Sequence, residues 1–107
     1  MIPRRVKGLR AAVVALKPGA SMDWHTTGAR EELLIALGGR VQVRTATAPP
    51  QKRKGERKNR KENIFASLDV AVMRVGECVF LPCGTLHCVV NRSMRKARYL
   101  YVTAPAR

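Results

Sequence analysis

Acidic residues are scarce in this chain, whose 107 residues hold seven Asp and Glu against 21 Lys and Arg, a formal net charge of +14. Aromatic residues are scarce too, at 5% with Trp24 the single tryptophan, so a core has to be built mainly from Val, Leu, Ala and Ile. The three cysteines, Cys78, Cys83 and Cys88, form no CxxC pair. That spacing argues against a zinc knuckle, and the odd count argues against a closed disulfide framework. Reduced thiols acting as small buried hydrophobes are expected, in a cytoplasmic protein. The apolar run Ala11 to Leu16 follows Arg4, Arg5, Lys7 and Arg10 but stops at Lys17-Pro18-Gly19. It is too short for a signal-peptide core or a membrane span, so no membrane partner is expected. The length suits one domain and leaves no room for two hydrophobic cores.

What is present is a series of short apolar runs, many closed by Pro or Gly, as strands joined by turns would be. Strands are expected near Ala11 to Leu16, Met22 to Thr27, Glu32 to Leu37, Arg40 to Ala46, Val70 to Val75, Cys78 to Leu81, His87 to Asn91 and Arg98 to Thr103. A chain this short with about eight strands must close its sheet or stack two sheets, since open edges expose unpaired backbone groups. Arg30 to Leu37 also has helical propensity, but seven residues make a marginal helix. A strand entering a turn at Gly38-Gly39, with the alternating RVQVR of Arg40 to Arg44 returning, explains the same letters.

The excess positive charge favours anionic partners by long-range attraction. Part of it is local: Gln51 to Glu62 holds Lys52, Arg53, Lys54, Arg57, Lys58, Arg60 and Lys61 against Glu56 and Glu62, so it contributes +5 and leaves +9 elsewhere. With two prolines before it, this segment reads as part of a mobile, solvated loop over about 46–67. Its basic residues would neutralise nucleic-acid phosphates, but no aromatic interleaves them for base stacking, so nucleic acid is the less favoured partner.

Two motifs carry a more specific message. From Gly76 the chain reads GECVFLPCGTLHCVVN, which matches G(x)5PxG(x)2H(x)3N at Gly76, Pro82, Gly84, His87 and Asn91. If each position is met by chance in about one case in 15 to 40, the full match has odds of ~10⁻⁷ at a given start. From Gly19 it reads GASMDWHTTGAREELLIALGG, which is similar to G(x)5HxH(x)3-4E(x)6G at Gly19, His25, Glu32 and Gly39, with Thr27 where a second histidine belongs. Glu31 with Gly38 also satisfies the spacing; Glu32 is preferred because the apolar run follows it directly. These patterns resemble the two motifs of the cupins.

The resemblance implies an all-β, double-stranded β-helix, or jelly-roll, barrel with a metal inside. Carried over residue by residue, it implies His25, Glu32 and His87 as metal ligands and Thr27 at a possible fourth position. Two imidazoles and a carboxylate suit a divalent transition metal such as Fe, Mn, Zn or Ni and leave positions open for a ligand. Strand alternation puts Asp23, His25 and Thr27 on one face, so Asp23 is expected in the cavity and Trp24 and Thr26 outside it. Cys88, next to His87, should face away. The glycines suit tight turns, Pro82 stiffens the approach to His87, and Asn91 is expected to tie a loop by side-chain hydrogen bonds. The function expected is metal binding by a small cupin, with oxygenase- or isomerase-type chemistry on a small, anionic substrate. The competing expectation is a non-catalytic ligand-binding or sensor domain. By the same resemblance, the partners expected are a small-molecule ligand and a second copy in a homodimer.

Overall fold

A computed structural model describes residues 8–46 and 68–106; the basic loop expected over about 46–67 lies outside them except for Ala46, which ends a strand. Eight strands follow one another: β1 (Arg10–Leu16), β2 (Ser21–Thr26), β3 (Arg30–Gly38), β4 (Arg40–Ala46), β5 (Leu68–Arg74), β6 (Cys78–Leu81), β7 (Leu86–Val90) and β8 (Ala97–Pro105). They form two four-stranded sheets, β1-β8-β3-β6 and β2-β7-β4-β5, with every pairing antiparallel.

Alternation decides what each strand buries. In β4, Val41 and Val43 are 2% and 1% exposed, while Arg40, Gln42 and Arg44 between them turn outward. In β3, Leu34 and Ala36 point inward and meet Val43, Met73 and Leu81 in the shared core. Burying a side chain of this size stabilises the fold by about 1.5–3 kcal/mol. Arg30–Gly38 is therefore a strand, paired with β6 on one side and β8 on the other. Its helical propensity loses to a two-residue period that buries one face against the opposite sheet.

The turns meet steric demands that the sequence announces. Gly39 has φ +69°, and a Cβ there would lie 2.7 Å from the Lys96 carbonyl oxygen, so no other residue fits without moving backbone. Asn91 is fully buried and ties three segments together. Its amide donates to the Leu16 and Arg95 carbonyls at 2.9 and 2.7 Å, and its oxygen accepts from the Ser93 amide and hydroxyl. The end of β1 is thereby clamped to the loop between β7 and β8.

The outer face of β1-β8-β3-β6 is apolar across all four strands. Two cross-strand rows run over it, Val13-Leu100-Ile35-Cys78 and Ala11-Val102-Leu33-Phe80. Val13 and Phe80 are 54% and 57% exposed.

Candidate metal centre

The second strand carries an irregularity that shapes the site. Met22 pairs with Val89 and His25 with His87, so Asp23 and Trp24 together stand opposite Cys88 alone, the count of a β-bulge. Met22 packs on the core and His25 turns inward to His87, so the extra residue is taken up on the outside. Asp23 and Trp24 both line a hollow there with Arg44 and Cys88. Asp23 is therefore not in the barrel cavity, contrary to simple alternation: the bulge breaks the two-residue period between Asp23 and His25. Cys88 faces away from the cavity, as expected.

Inside, three side chains from two sheets converge. His25 and His87 are cross-strand neighbours with ring centroids 4.1 Å apart and planes inclined by 57°. Glu32 faces them from β3, its Oε2 lying 3.8 Å from His87 Nε2. One ligand atom from each of the three lies within 4.8 Å of the others. Glu32, not Glu31, supplies the carboxylate: Glu31 is exposed on the outer face beside Ala104.

Backbone carbonyls hold the rings. His25 Nδ1 lies 2.8 Å from the Asp23 carbonyl oxygen and His87 Nδ1 lies 3.2 Å from that of Thr85. A carbonyl only accepts, so each Nδ1 carries the proton, and in the neutral rings each Nε2 keeps its lone pair. Metal-binding histidines are oriented in this way, the second nitrogen fixing tautomer and direction. Two atoms bound to one ion at about 2.1 Å stand at most ~4.2 Å apart, so a contraction of about half an ångström would bring the trio into range. His25, exposed at the rim, has the freedom to make that movement. The donor set and its bracing fit a divalent metal.

Burial governs the protonation of Glu32 and His87. It pushes the Glu32 carboxyl above its ordinary value, and the nearby His25 opposes that shift. Burial likewise lowers His87, partly offset by its bond to Thr85, and His25 lowers it further. His87 is therefore neutral at physiological pH. At 3.8 Å, its contact with Glu32 is too long to be a hydrogen-bonded acid and base pair.

Thr27 is buried and its hydroxyl is committed elsewhere, donating to the Pro82 carbonyl at 2.8 Å and accepting from the Thr85 amide at 2.9 Å. Where the cupin pattern has a second histidine, this chain has a clamp that holds the turn leading to His87. Of the three cysteines expected to be small buried hydrophobes only Cys88 is buried; Cys78 lies on the outer face of β6 and Cys83 in the turn after it, both exposed, and all three are free thiols.

The sequence reading missed Tyr99. It is buried on the inner face of β8, and burial together with the Glu32 charge pushes its phenol well above the usual value. The alternation of RYLYVT marks it as inward, but nothing in that pattern says that the Glu32 charge acts on it. Also unforeseen is a hollow of about 220 Å³ lined by Thr45, Asp69, Leu81 and Thr85 among others. None of the trio lines it, although two of its lining residues are register partners of the trio, Thr45 of His87 and Leu81 of Glu32.

No family model matches the chain, and no curated protein matches it. Solved structures share its fold. The Cnp3 cupin domain of Schizosaccharomyces pombe superposes with a TM-score of 0.68 at 16% identity, covering 98% of this chain and 58% of that one. An oxalate oxidase in complex with the substrate analogue glycolate gives 0.70 at 19% identity, over 92% of this chain and 42% of that one. The TT1209 protein of Thermus thermophilus gives 0.67 at 26% identity, over 95% and 77%. This chain thus spans about half the length of several structures that it matches. With two packed antiparallel sheets and these neighbours, the protein has the cupin fold.

Proposed function

We propose that this protein binds a divalent transition metal, of the Fe, Mn, Zn or Ni group, through His25, Glu32 and His87, and presents it to a small ligand. The observation that carries this reading is the convergence of two backbone-braced imidazoles and a carboxylate at one end of the barrel. When bound, the metal would supply Lewis acidity, with coordination positions left open for ligand and water. The chain's own part is to hold both Nε2 atoms toward one point, to keep His87 unprotonated, and to keep bulk water from the buried side. The hollow lined by Thr45 and Leu81, register partners of His87 and Glu32, has a volume of about 220 Å³, small-molecule size, and the oxalate oxidase neighbour holds glycolate, a small carboxylate. Oxygenase- or isomerase-type chemistry on such an anion is the finer form of the proposal. Metal analysis of protein purified without added metal tests the binding: near-stoichiometric metal that His87→Ala removes is expected, and equally negligible metal in both would overturn it.

A non-catalytic ligand-binding or sensor role is the second reading, favoured by the commitment of the Thr27 hydroxyl to backbone, which leaves three ligands rather than four. It requires ligand-dependent stabilisation that chelator leaves unchanged. We further propose a homodimer through the outer face of β1-β8-β3-β6. Two uncharged apolar rows support it, and Glu31 at one end of that face and Arg98 at the other would pair if the second copy ran antiparallel. Sedimentation of a species of only 11.9 kDa would contradict this. Free thiols accord with a cytosolic setting.

A further inference from the structure

The end of the barrel remote from the histidines gathers arginines. Arg40 and Arg74 are direct cross-strand partners at the start of β4 and the end of β5, where opposed side chains have Cβ atoms about 4.5–5.5 Å apart and like charges are destabilising. Both line a hollow of about 600 Å³ that Arg95, Val75 and Met94 also border. Both also line an adjoining hollow of about 220 Å³ that Arg92 borders. No acidic residue lines either one. The nearest acid along the chain, Glu77, accepts from the Arg74 amide and closes the β5–β6 turn. Among the described residues, none of the four guanidiniums has a carboxylate within ion-pair distance.

From these observations we propose that Arg40, Arg74, Arg92 and Arg95 form a binding site for a small, multiply charged phosphate compound. Each guanidinium offers a planar fork of donors suited to phosphate oxygens, and a ligand carrying several negative charges would satisfy a cluster that no carboxylate among the described residues neutralises. The volume is that of a small-molecule site. Val75 and Met94, exposed by 60% and 90%, give an organic moiety an apolar flank, and no aromatic residue lines the hollows to stack nucleobases. The site is distinct from the proposed metal centre: Arg40 lies five residues along β4 from Thr45, the partner of His87, or about 16 Å.

The test uses the full chain, inorganic triphosphate as the probe, and calorimetric titration with thermal unfolding at physiological salt. Binding of one triphosphate per chain is expected, weakened about tenfold for each guanidinium removed in Arg40→Gln and Arg74→Gln. Because these variants relieve a like-charge pair, they should melt no lower than the parent in chloride, yet gain less from triphosphate. That pattern separates a lost ligand from a damaged fold. Unaltered affinity in the double variant overturns the proposal, as does an equal loss on replacing Lys52, Arg53 and Lys54 by Gln. Binding of a single-stranded oligoribonucleotide that triphosphate fails to displace would assign the surface to nucleic acid and overturn it too.

Discussion

At one end of the barrel, His25, Glu32 and His87 come from three strands in two sheets, and a backbone carbonyl orients each ring. At the other end, Arg40, Arg74, Arg92 and Arg95 come from strand ends and one loop, and among the described residues no carboxylate pairs with them. The first end is half buried, and burial shifts the protonation of Glu32 and His87. The second is exposed, and repulsion between its like charges is weakened by water. The difference teaches that charge type alone does not make a site: a small donor set becomes specific when buried and braced, whereas a larger set of cations acts as a collective field.

The comparison breaks most visibly at the histidine end. Removing His87 takes away the most buried of the three donors, so His87→Ala should lower metal affinity by at least ~100-fold, read by competition against a chromophoric chelator. Unchanged affinity would mean that metal binds elsewhere. Asn91→Ala should lower unfolding free energy by about 2–4 kcal/mol in urea titration, because several buried backbone groups lose their partner at once. Thr27→Val should cost about 1–2 kcal/mol, for it strands the Thr85 amide, while metal affinity holds within a few-fold. A large loss of metal with little loss of stability would show instead that the hydroxyl acts at the site.

Protonation offers a subtler test. His87 is lowered in the folded state by burial, so the unfolded chain takes up its proton first as pH falls. The stability this residue contributes is whole above its ordinary value near 6.5 and is lost as pH drops through the lower, folded value. Glu32 acts in the opposite sense: raised by burial, it favours the folded state below its ordinary value, and that advantage disappears as pH climbs through the raised value. Metal-free protein should therefore lose stability on acidification from neutrality through the histidine range, and His87→Gln should flatten that slope. An unaltered slope in the variant would assign it to other groups. At the arginine end no comparable dependence is expected, because guanidinium stays charged throughout.

Much of the architecture was readable from the letters. Eight short runs punctuated by Gly and Pro became eight strands, since alternation and turn chemistry act locally and leave a compositional trace. The motif histidines and Glu32 were readable as a set, and the fold brings them together. Asp23 was misplaced because a bulge adds one residue without any mark of composition, so a period-two argument anchored on His25 fails for the residues on the other side of the bulge. Thr27 read as a lost ligand, and only the Pro82 carbonyl and Thr85 amide beside it reveal a structural clamp. The pairing of Arg40 with Arg74 joins residues far apart in sequence, so only the register of β4 against β5 exposes it.

Anomalous diffraction from crystals grown with one added transition metal, collected at that metal's absorption edge, tests the central claim most directly. The account requires a peak about 2.1 Å from His25 Nε2, His87 Nε2 and a Glu32 oxygen. A map with no peak among those three atoms, while metal is bound at another place, would contradict it.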